Sequence, residues 1–82
     1  MPSKLLIERT AADGSTTYIT ERFKTLDGAL DSMHVYHLTA QTEGAEEIKT
    51  SKLIYHNHNE VPISMTVRLR GYFYVLGIWQ DN

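Results

Sequence analysis

Apolar and polar residues alternate along the first part of the chain in the way that is typical of β-strands. Residues 4–10 and 16–24 are rich in apolar and β-branched side chains, and the five residues between them include Asp13 and Gly14. Glycine adopts the left-handed backbone of a reversal without a steric clash. The pattern therefore predicts a hairpin with a turn looser than the two-residue type.

After Thr25 the apolar spacing changes from steps of two to steps of three and four. This spacing predicts an amphipathic helix. The apolar residues at these steps are Leu26, Ala29, Leu30 and Met33. The Thr25 hydroxyl can cap the first turn. The helix end is ambiguous, because residues 34–40 also alternate as a strand would. We favour a helix that ends near Leu38, followed by a polar loop over residues 41–47.

Further strands are predicted in the second half of the chain. Residues 48–56 match a third strand, although residues 45–52 could form a helical turn instead. Residues 57–60 are turn formers, because asparagine tolerates left-handed backbone. Pro62 has no amide donor, so we expect it to open the next strand or to lie on an edge. The clearest alternation follows, and its apolar face consists of Ile63, Met65, Val67 and Leu69.

The last strand, residues 72–79, is apolar on both faces, which predicts a place in the middle of the sheet or at an interface. Gly71 precedes it and is compatible with a kink in one continuing strand or with a tight hairpin turn. The element order is then ββαβββ. A helix on one face of an antiparallel sheet of about five strands is a two-layer α+β arrangement. We expect the whole chain, residues 1–82, to form one such domain.

The composition of the chain excludes or disfavours several classes of site and partner. The chain has 82 residues and no cysteine, so disulfides and thiolate metal ligands are excluded. Ten acidic and eight basic residues give a net charge of −2, which disfavours a broad nucleic-acid clamp. The apolar run near the N-terminus is only three residues long, too short for a signal peptide or a membrane helix. We therefore expect a cytoplasmic protein with no membrane partner.

Four histidines form two pairs that could each bind one side of a metal ion. His34 and His37 share one face of the predicted helix, and His56 and His58 share one face of a strand. Zinc accepts four imidazoles, and Glu60 could replace one of them. The spacing matches no metal signature, however. We favour the alternative that these histidines border the core or lie in solvent, and we predict no cofactor.

A second candidate surface depends on how the chain passes Gly71. If one strand continues straight through Gly71, its even-numbered residues, which include Ser64 and Thr66, all lie on one face. Arginines that pair with phosphates and tyrosines that stack on bases suit single-stranded nucleic acid; the residues are Arg68, Arg70, Tyr72 and Tyr74. The alternative is an ordinary exposed face on which arginines lie over aromatic rings. The acidic net charge favours this alternative.

Nothing in the sequence indicates catalysis. The chain contains no Gly-x-Ser-x-Gly, phosphate-loop or His-Glu-x-x-His motif. A domain of this size also has little room for a substrate pocket of several hundred Å³. We predict that the protein is not an enzyme.

The excess of large apolar residues near the C-terminus favours a protein-interaction module, because one short helix cannot cover them all. An apolar last strand is a natural pairing edge, and aromatic residues are enriched in interfaces. We expect a homodimer, or a complex with another protein, through Tyr72, Tyr74, Leu76, Ile78 and Trp79. The alternative is a second layer that closes over this strand within the monomer.

Overall fold

The computed structural model describes residues 2–80, which contain five strands and one helix. In chain order these are β1 (Ser3–Thr10), β2 (Thr16–Phe23), α1 (Leu26–Thr42), β3 (Glu47–His56), β4 (Asn59–Leu69) and β5 (Tyr72–Gln80). The predicted order ββαβββ and the α+β class are confirmed.

The strands form one antiparallel sheet in the order β2-β1-β5-β4-β3. β5 lies in the middle, where Ile78 pairs with Leu5 of β1 and Leu76 pairs with Met65 of β4. The central place predicted for residues 72–79 is confirmed. The idea that this strand offers a pairing edge is wrong, because its backbone has neighbours on both sides. The two edges of the sheet are β2 and β3.

The core forms where α1 packs across one face of the sheet. The Thr25 side chain caps the helix by accepting a 3.3 Å hydrogen bond from the amide of Gly28. Alternate residues of the three central strands face the helix and exclude water, as their two-residue period requires. The buried apolar residues are Leu5, Ile7, Ala29, Leu30, Met33, Ala40, Val61, Met65, Val67, Leu76 and Ile78.

The helix ends one turn later than predicted, at Thr42 rather than near Leu38. Gly44 has φ of +73° and reverses the chain, so that the amide of Ala45 donates to the carbonyl of Ala40 at 3.1 Å. Ala40 in this extra turn is buried against the sheet. The extra turn forms because Gly44 ends the helix, whereas the earlier change from apolar to polar residues does not. No helix within residues 2–80 is long and apolar enough to cross a membrane.

The chain turns sharply at Gly71 instead of continuing as one strand. Arg70 and Gly71 have φ of +51° and +83°, which makes a two-residue hairpin turn between β4 and β5. Leu69 consequently pairs with Tyr72. Every residue after the turn therefore lies on the opposite face from the one that a straight strand predicts.

β4 begins earlier than its clearest alternation, at Asn59 rather than Ile63. Pro62 therefore lies inside this strand and does not open it. Pairing of β4 with β5 starts only at Ser64 and Gly77. The missing amide of Pro62 lies where β4 is paired with β3 alone, so it interrupts no hydrogen bond to β5.

Candidate functional site

The two histidine pairs lie in different surroundings. His34 and His37 lie on α1, His56 ends β3, and His58 occupies the turn that follows. In the part of the chain that the structure describes, no group of three or more histidine, cysteine, aspartate or glutamate side chains is placed to hold a metal ion. The joint histidine site that a metal would require is therefore not formed by these residues.

His56 instead connects the β3–β4 turn to the helix. Its Nε2 lies 2.7 Å from Oδ1 of Asp31, and its Nδ1 lies 3.8 Å from Oδ1 of Asp27. The side-chain amide of Asn57 also donates a hydrogen bond to Asp31 Oδ1, at 3.3 Å. Sequence reasoning missed this cluster because its two halves are far apart along the chain. Its position at the junction of α1 and the β3–β4 hairpin indicates a structural role.

His37 has an environment that disfavours its charged form. Burial lowers the pKa of His37 below its ordinary value of 6.5, and the neighbouring His34 lowers it further by charge repulsion. The unfolded chain therefore binds the proton more readily than the folded chain does. The free energy of unfolding should be highest above the ordinary pKa and should fall as the pH drops below it.

We predict that urea denaturation, measured from about pH 7.5 to about pH 5, shows this loss of stability. We also expect His37→Gln to reduce the slope of the free energy of unfolding against pH. His58→Gln, at an exposed turn position, is the matched control and should leave the slope unchanged. Equal slopes in the parent and His37→Gln would contradict the assignment of this pH dependence to His37.

The arginines and tyrosines proposed for nucleic acid do not share a surface. Because the chain reverses at Arg70 and Gly71, Tyr72 and Tyr74 lie on the helix side of the sheet. Arg68 lies on the opposite side. The single face predicted from the even-numbered residues is therefore wrong, since the turn exchanges the faces after residue 70.

The two arginines are also engaged within the chain. The guanidinium of Arg68 lies 5.4 Å from the ring centre of Phe73, its cross-strand neighbour, in a cation–π contact. Arg70 Nη2 donates to the carboxylate of Glu43 at 2.8 Å. The Arg68 contact matches the alternative in which arginines lie over aromatic rings, whereas Arg70 pairs with a carboxylate instead.

The five residues predicted at an interface are divided between the two faces of the sheet. Leu76 and Ile78 are buried beneath α1, so they are not accessible to a partner. Tyr74 is partly buried against the same core, and Tyr72, two residues earlier, lies on the same side of the sheet. Of the five, only Trp79 lies on the uncovered side of the sheet, where 59% of it is exposed.

We call the sheet surface opposite α1 the open face, because none of the elements within residues 2–80 packs over it. Its middle column, on β5, consists of Phe73, Val75, Gly77 and Trp79. Further apolar residues on this face are Leu6 of β1, Tyr18 of the edge strand β2 and Leu53 of the edge strand β3; Pro62 of β4 also lies on this face but is fully buried. Sequence alternation finds these residues, but only the topology shows that they share one surface.

Gly77 gives the indole of Trp79 room on the open face. A Cβ atom at Gly77 would lie 3.5 Å from Trp79 Nε1. The indole therefore extends back over the glycine, where a Cβ atom alone would be in ordinary van der Waals contact with it and only a side chain larger than alanine would compete for the space. This arrangement presents a broad apolar surface beside the centre of the sheet.

A separate groove lies on the helix side, between the last turns of α1 and the sheet. Its volume is about 240 Å³, and the helix contributes Tyr36, Thr39 and Ala40 to its walls. The remaining walls are mostly apolar residues of β1, β2, β4 and β5. Two of the three helix residues in its walls, Thr39 and Ala40, have small side chains, which leaves space between this part of the helix and the sheet.

Beside this groove, Glu21 of β2 accepts two hydrogen bonds from the helix. Ser32 Oγ donates at 3.0 Å and the Tyr36 hydroxyl at 2.9 Å. Burial raises the pKa of Tyr36, and the hydrogen bond and negative charge of Glu21 raise it further. Tyr36 therefore stays protonated and donates to the carboxylate.

Comparisons of this chain with protein-family models, curated proteins and solved structures find no match. The function must therefore be inferred from the exposed surfaces themselves.

Proposed function

We propose that the protein is a small non-enzymatic interaction module that forms a symmetric homodimer through its open face. The observation that carries this proposal is Trp79, the single tryptophan, which is 59% exposed on the uncovered side of the sheet. Tryptophan is among the residues most enriched at the positions that dominate binding energy in protein interfaces. We also propose a cytoplasmic location, supported by the absence of cysteine.

Charged side chains of both signs lie among the apolar residues of the open face. Lys4, Glu8 and Arg68 lie on the strands next to β5, and Lys49 lies on the edge strand β3. Because both signs of charge are present, a copy related by a two-fold axis can place opposite charges together.

The size of the open face is sufficient for a dimer. Five strands about 4.8 Å apart and about eight residues long, at about 3.3 Å per residue, cover roughly 24 by 26 Å. Two such faces together bury on the order of 1,200 Å², the lower end of the range for stable interfaces. The molecule measures 37 × 26 × 17 Å, so its broad side accommodates a contact of this size.

A dimer of this kind would also compensate for the small hydrophobic core of a short chain. A domain of this length buries only about 60–65% of the surface that its unfolded chain exposes, less than larger domains do, so a disulfide, a metal or a partner adds needed stability. With no cysteine, the first of these is excluded. Two sheets packed face to face, about 10 Å apart, would form a four-layer assembly with the helices outside.

The fluorescence of Trp79 tests this proposal without a label. In the dimer the indole leaves water, so we expect its emission to lie at shorter wavelength in concentrated protein and to shift to longer wavelength on dilution. Acrylamide should quench it more strongly after dilution. N-acetyltryptophanamide, diluted identically, controls for optical artefacts. Emission at the long wavelength of an exposed indole, with strong quenching, at every protein concentration from submicromolar to hundreds of micromolar would contradict burial of Trp79 between copies.

A further inference from the structure

We propose that the β2 edge of the sheet pairs, in the antiparallel sense, with β2 of a second copy of this chain, so that Ile19 faces Ile19 across a two-fold axis. We call this pairing the edge contact. It extends the sheet sideways and is separate from the dimer through the open face. β2 is one of the two edges of the sheet, so no strand within residues 2–80 lies on its outer side.

The backbone of β2 presents a regular row of donors and acceptors at this edge. The amide of Ala11 donates to the carbonyl of Ser15 at 2.9 Å. This bond lies just beyond the pair Thr10 and Thr16, so those two residues exchange no hydrogen bonds with each other. Bonded and non-bonded pairs alternate along an antiparallel ladder. The even-numbered residues of β2 therefore point their amides and carbonyls away from β1, where another extended backbone can bind them.

The opposite edge of the sheet, β3, is interrupted where β2 is regular. Lys52, in the middle of β3, has φ of +55°, and the pairing of β3 with β4 skips this residue. A local kink and lysine side chains both hinder the addition of another strand to an edge. β2 contains no lysine or proline, and none of its residues, all of which the structure describes, has positive φ. β2 is therefore the edge that is suited to pairing.

The side chains of β2 match themselves best when Ile19 lies on the two-fold axis. Ile19 is on the helix side of the sheet and 48% exposed, and Tyr18 is on the open face and 74% exposed. In this register Ile19 covers its own copy, and Tyr18 faces Thr20 of the second copy. Aromatic and β-branched side chains stabilise each other across strands. In the two neighbouring registers Ile19 would face Thr17 or Glu21 instead.

The same register brings no like charges together. Glu21 and Arg22, the two charged residues of β2, each face a threonine of the second copy. The Glu21 carboxylate is already held from the helix, because it accepts hydrogen bonds from Ser32 Oγ at 3.0 Å and from the Tyr36 hydroxyl at 2.9 Å. It therefore needs no positive partner from the second copy. Because like charges directly opposite each other would destabilise the pairing, their absence favours this register.

The edge contact is smaller than the open-face contact. About seven residues of each strand, at about 3.3 Å per residue, and a layer about 10 Å thick give roughly 230 Å² in each copy. This area is below that of stable specific interfaces. We therefore expect the edge contact to form at higher protein concentration than the open-face dimer and to join such dimers into larger assemblies.

A single introduced cysteine tests the edge contact, because the chain has no cysteine of its own. Ile19→Cys places two thiols in a pair without mutual hydrogen bonds, whose Cα atoms lie about 4.5 Å apart, within the range of a disulfide. In a glutathione redox buffer this variant should form a disulfide-linked dimer. Thr17→Cys, exposed on the same face of β2, is the matched control. Its two copies would lie about 13 Å apart, too far to link.

Proline at an outward amide separates the edge contact from random collisions. In the Ile19→Cys background, Thr20→Pro removes an amide that points away from β1, so the β1–β2 pairing is kept. The equilibrium constant for the linked dimer should fall about thirtyfold, the loss of two hydrogen bonds of about 1 kcal/mol each. Lys49→Pro makes the same change at the β3 edge and should have no effect. The Lys49 amide points outward because His56 and Asn59 close a two-residue turn.

Equal amounts of linked dimer from Ile19→Cys and Thr17→Cys would overturn the proposed register. An unchanged equilibrium constant for Thr20→Pro, in protein that circular dichroism shows to be folded, would overturn the pairing through β2. A loss caused by Lys49→Pro and not by Thr20→Pro would place the contact at β3 instead. Because Ile19 lies on the helix side of the sheet, a dimer through the open face does not bring its two copies together, and failure of that dimer leaves this test unchanged.

Discussion

Val75→Lys is expected to convert the dimer into a folded monomer at protein concentrations where the parent is dimeric. Val75 lies on the middle strand of the open face, 36% exposed, between Glu8 of β1 and Thr66 of β4. In the monomer the new ammonium group can pair with Glu8 across the strands. In the dimer it would be desolvated near its symmetry mate. We expect a loss of about 3 kcal/mol, or roughly two orders of magnitude in affinity.

The control for this experiment is Val35→Lys. Val35 is 60% exposed on the outer side of α1, so the same chemical change is made on the opposite side of the molecule. Sedimentation velocity should show a monomer for Val75→Lys and a dimer for Val35→Lys, with circular dichroism showing both folded. A dimeric, folded Val75→Lys protein would exclude the centre of the open face as the interface.

The largest loss of stability is expected from Met33→Ala. Met33 is fully buried where α1 meets the sheet, and truncation removes its contacts and leaves a cavity. Such changes cost about 2–5 kcal/mol, whereas a domain of this size has about 4–12 kcal/mol in total. Urea denaturation at one fixed protein concentration should therefore show a much lower midpoint, because dimer formation also raises the midpoint with concentration.

Leu38→Ala is the matched variant on the same helix. Leu38 is 45% exposed, so its truncation should cost about 1 kcal/mol or less. The difference between the two variants measures the burial of the inner face of α1. Similar midpoints for Met33→Ala and Leu38→Ala would contradict the packing of the helix described above.

The local features of the fold could be predicted because hydrophobic periodicity depends on near neighbours in sequence. The alternation that includes Met65 and Val67 identified residues of β4 that are buried, and the three- and four-residue spacing of Ala29, Leu30 and Met33 identified the buried side of α1. Each of these patterns is complete within one element. The element type and the inward face therefore followed from it.

The order of the strands could not be predicted in this way, because it depends on pairings between distant parts of the chain. β5 is last in sequence and third in space, where the buried Leu76 and Ile78 meet β1 and β4. A strand with two apolar faces fits a central position as well as an interface. Only the topology shows that α1 covers one of those faces and leaves Trp79 and Val75 on the other.

One question left open by the sequence and one misplaced helix end had local causes. The turn after β4 places Arg70 at φ of +51°, and arginine carries no sequence signal for left-handed backbone. The end of α1 was placed early because its last turn, with Gln41 and Thr42, is polar, although Ala40 is buried and Gly44 stops the helix. The hairpin turn removes the surface of arginines and tyrosines that a straight strand would have formed. The misplaced helix end concealed part of the wall of the groove.

The most direct test of the proposed dimer is the mass of the parent protein in solution, measured by light scattering at tens of micromolar. The proposed dimer predicts a mass of twice the 9.4 kDa of one chain, which declines toward that of one chain on dilution. A mass of 9.4 kDa across the same concentration range would contradict self-association through the open face.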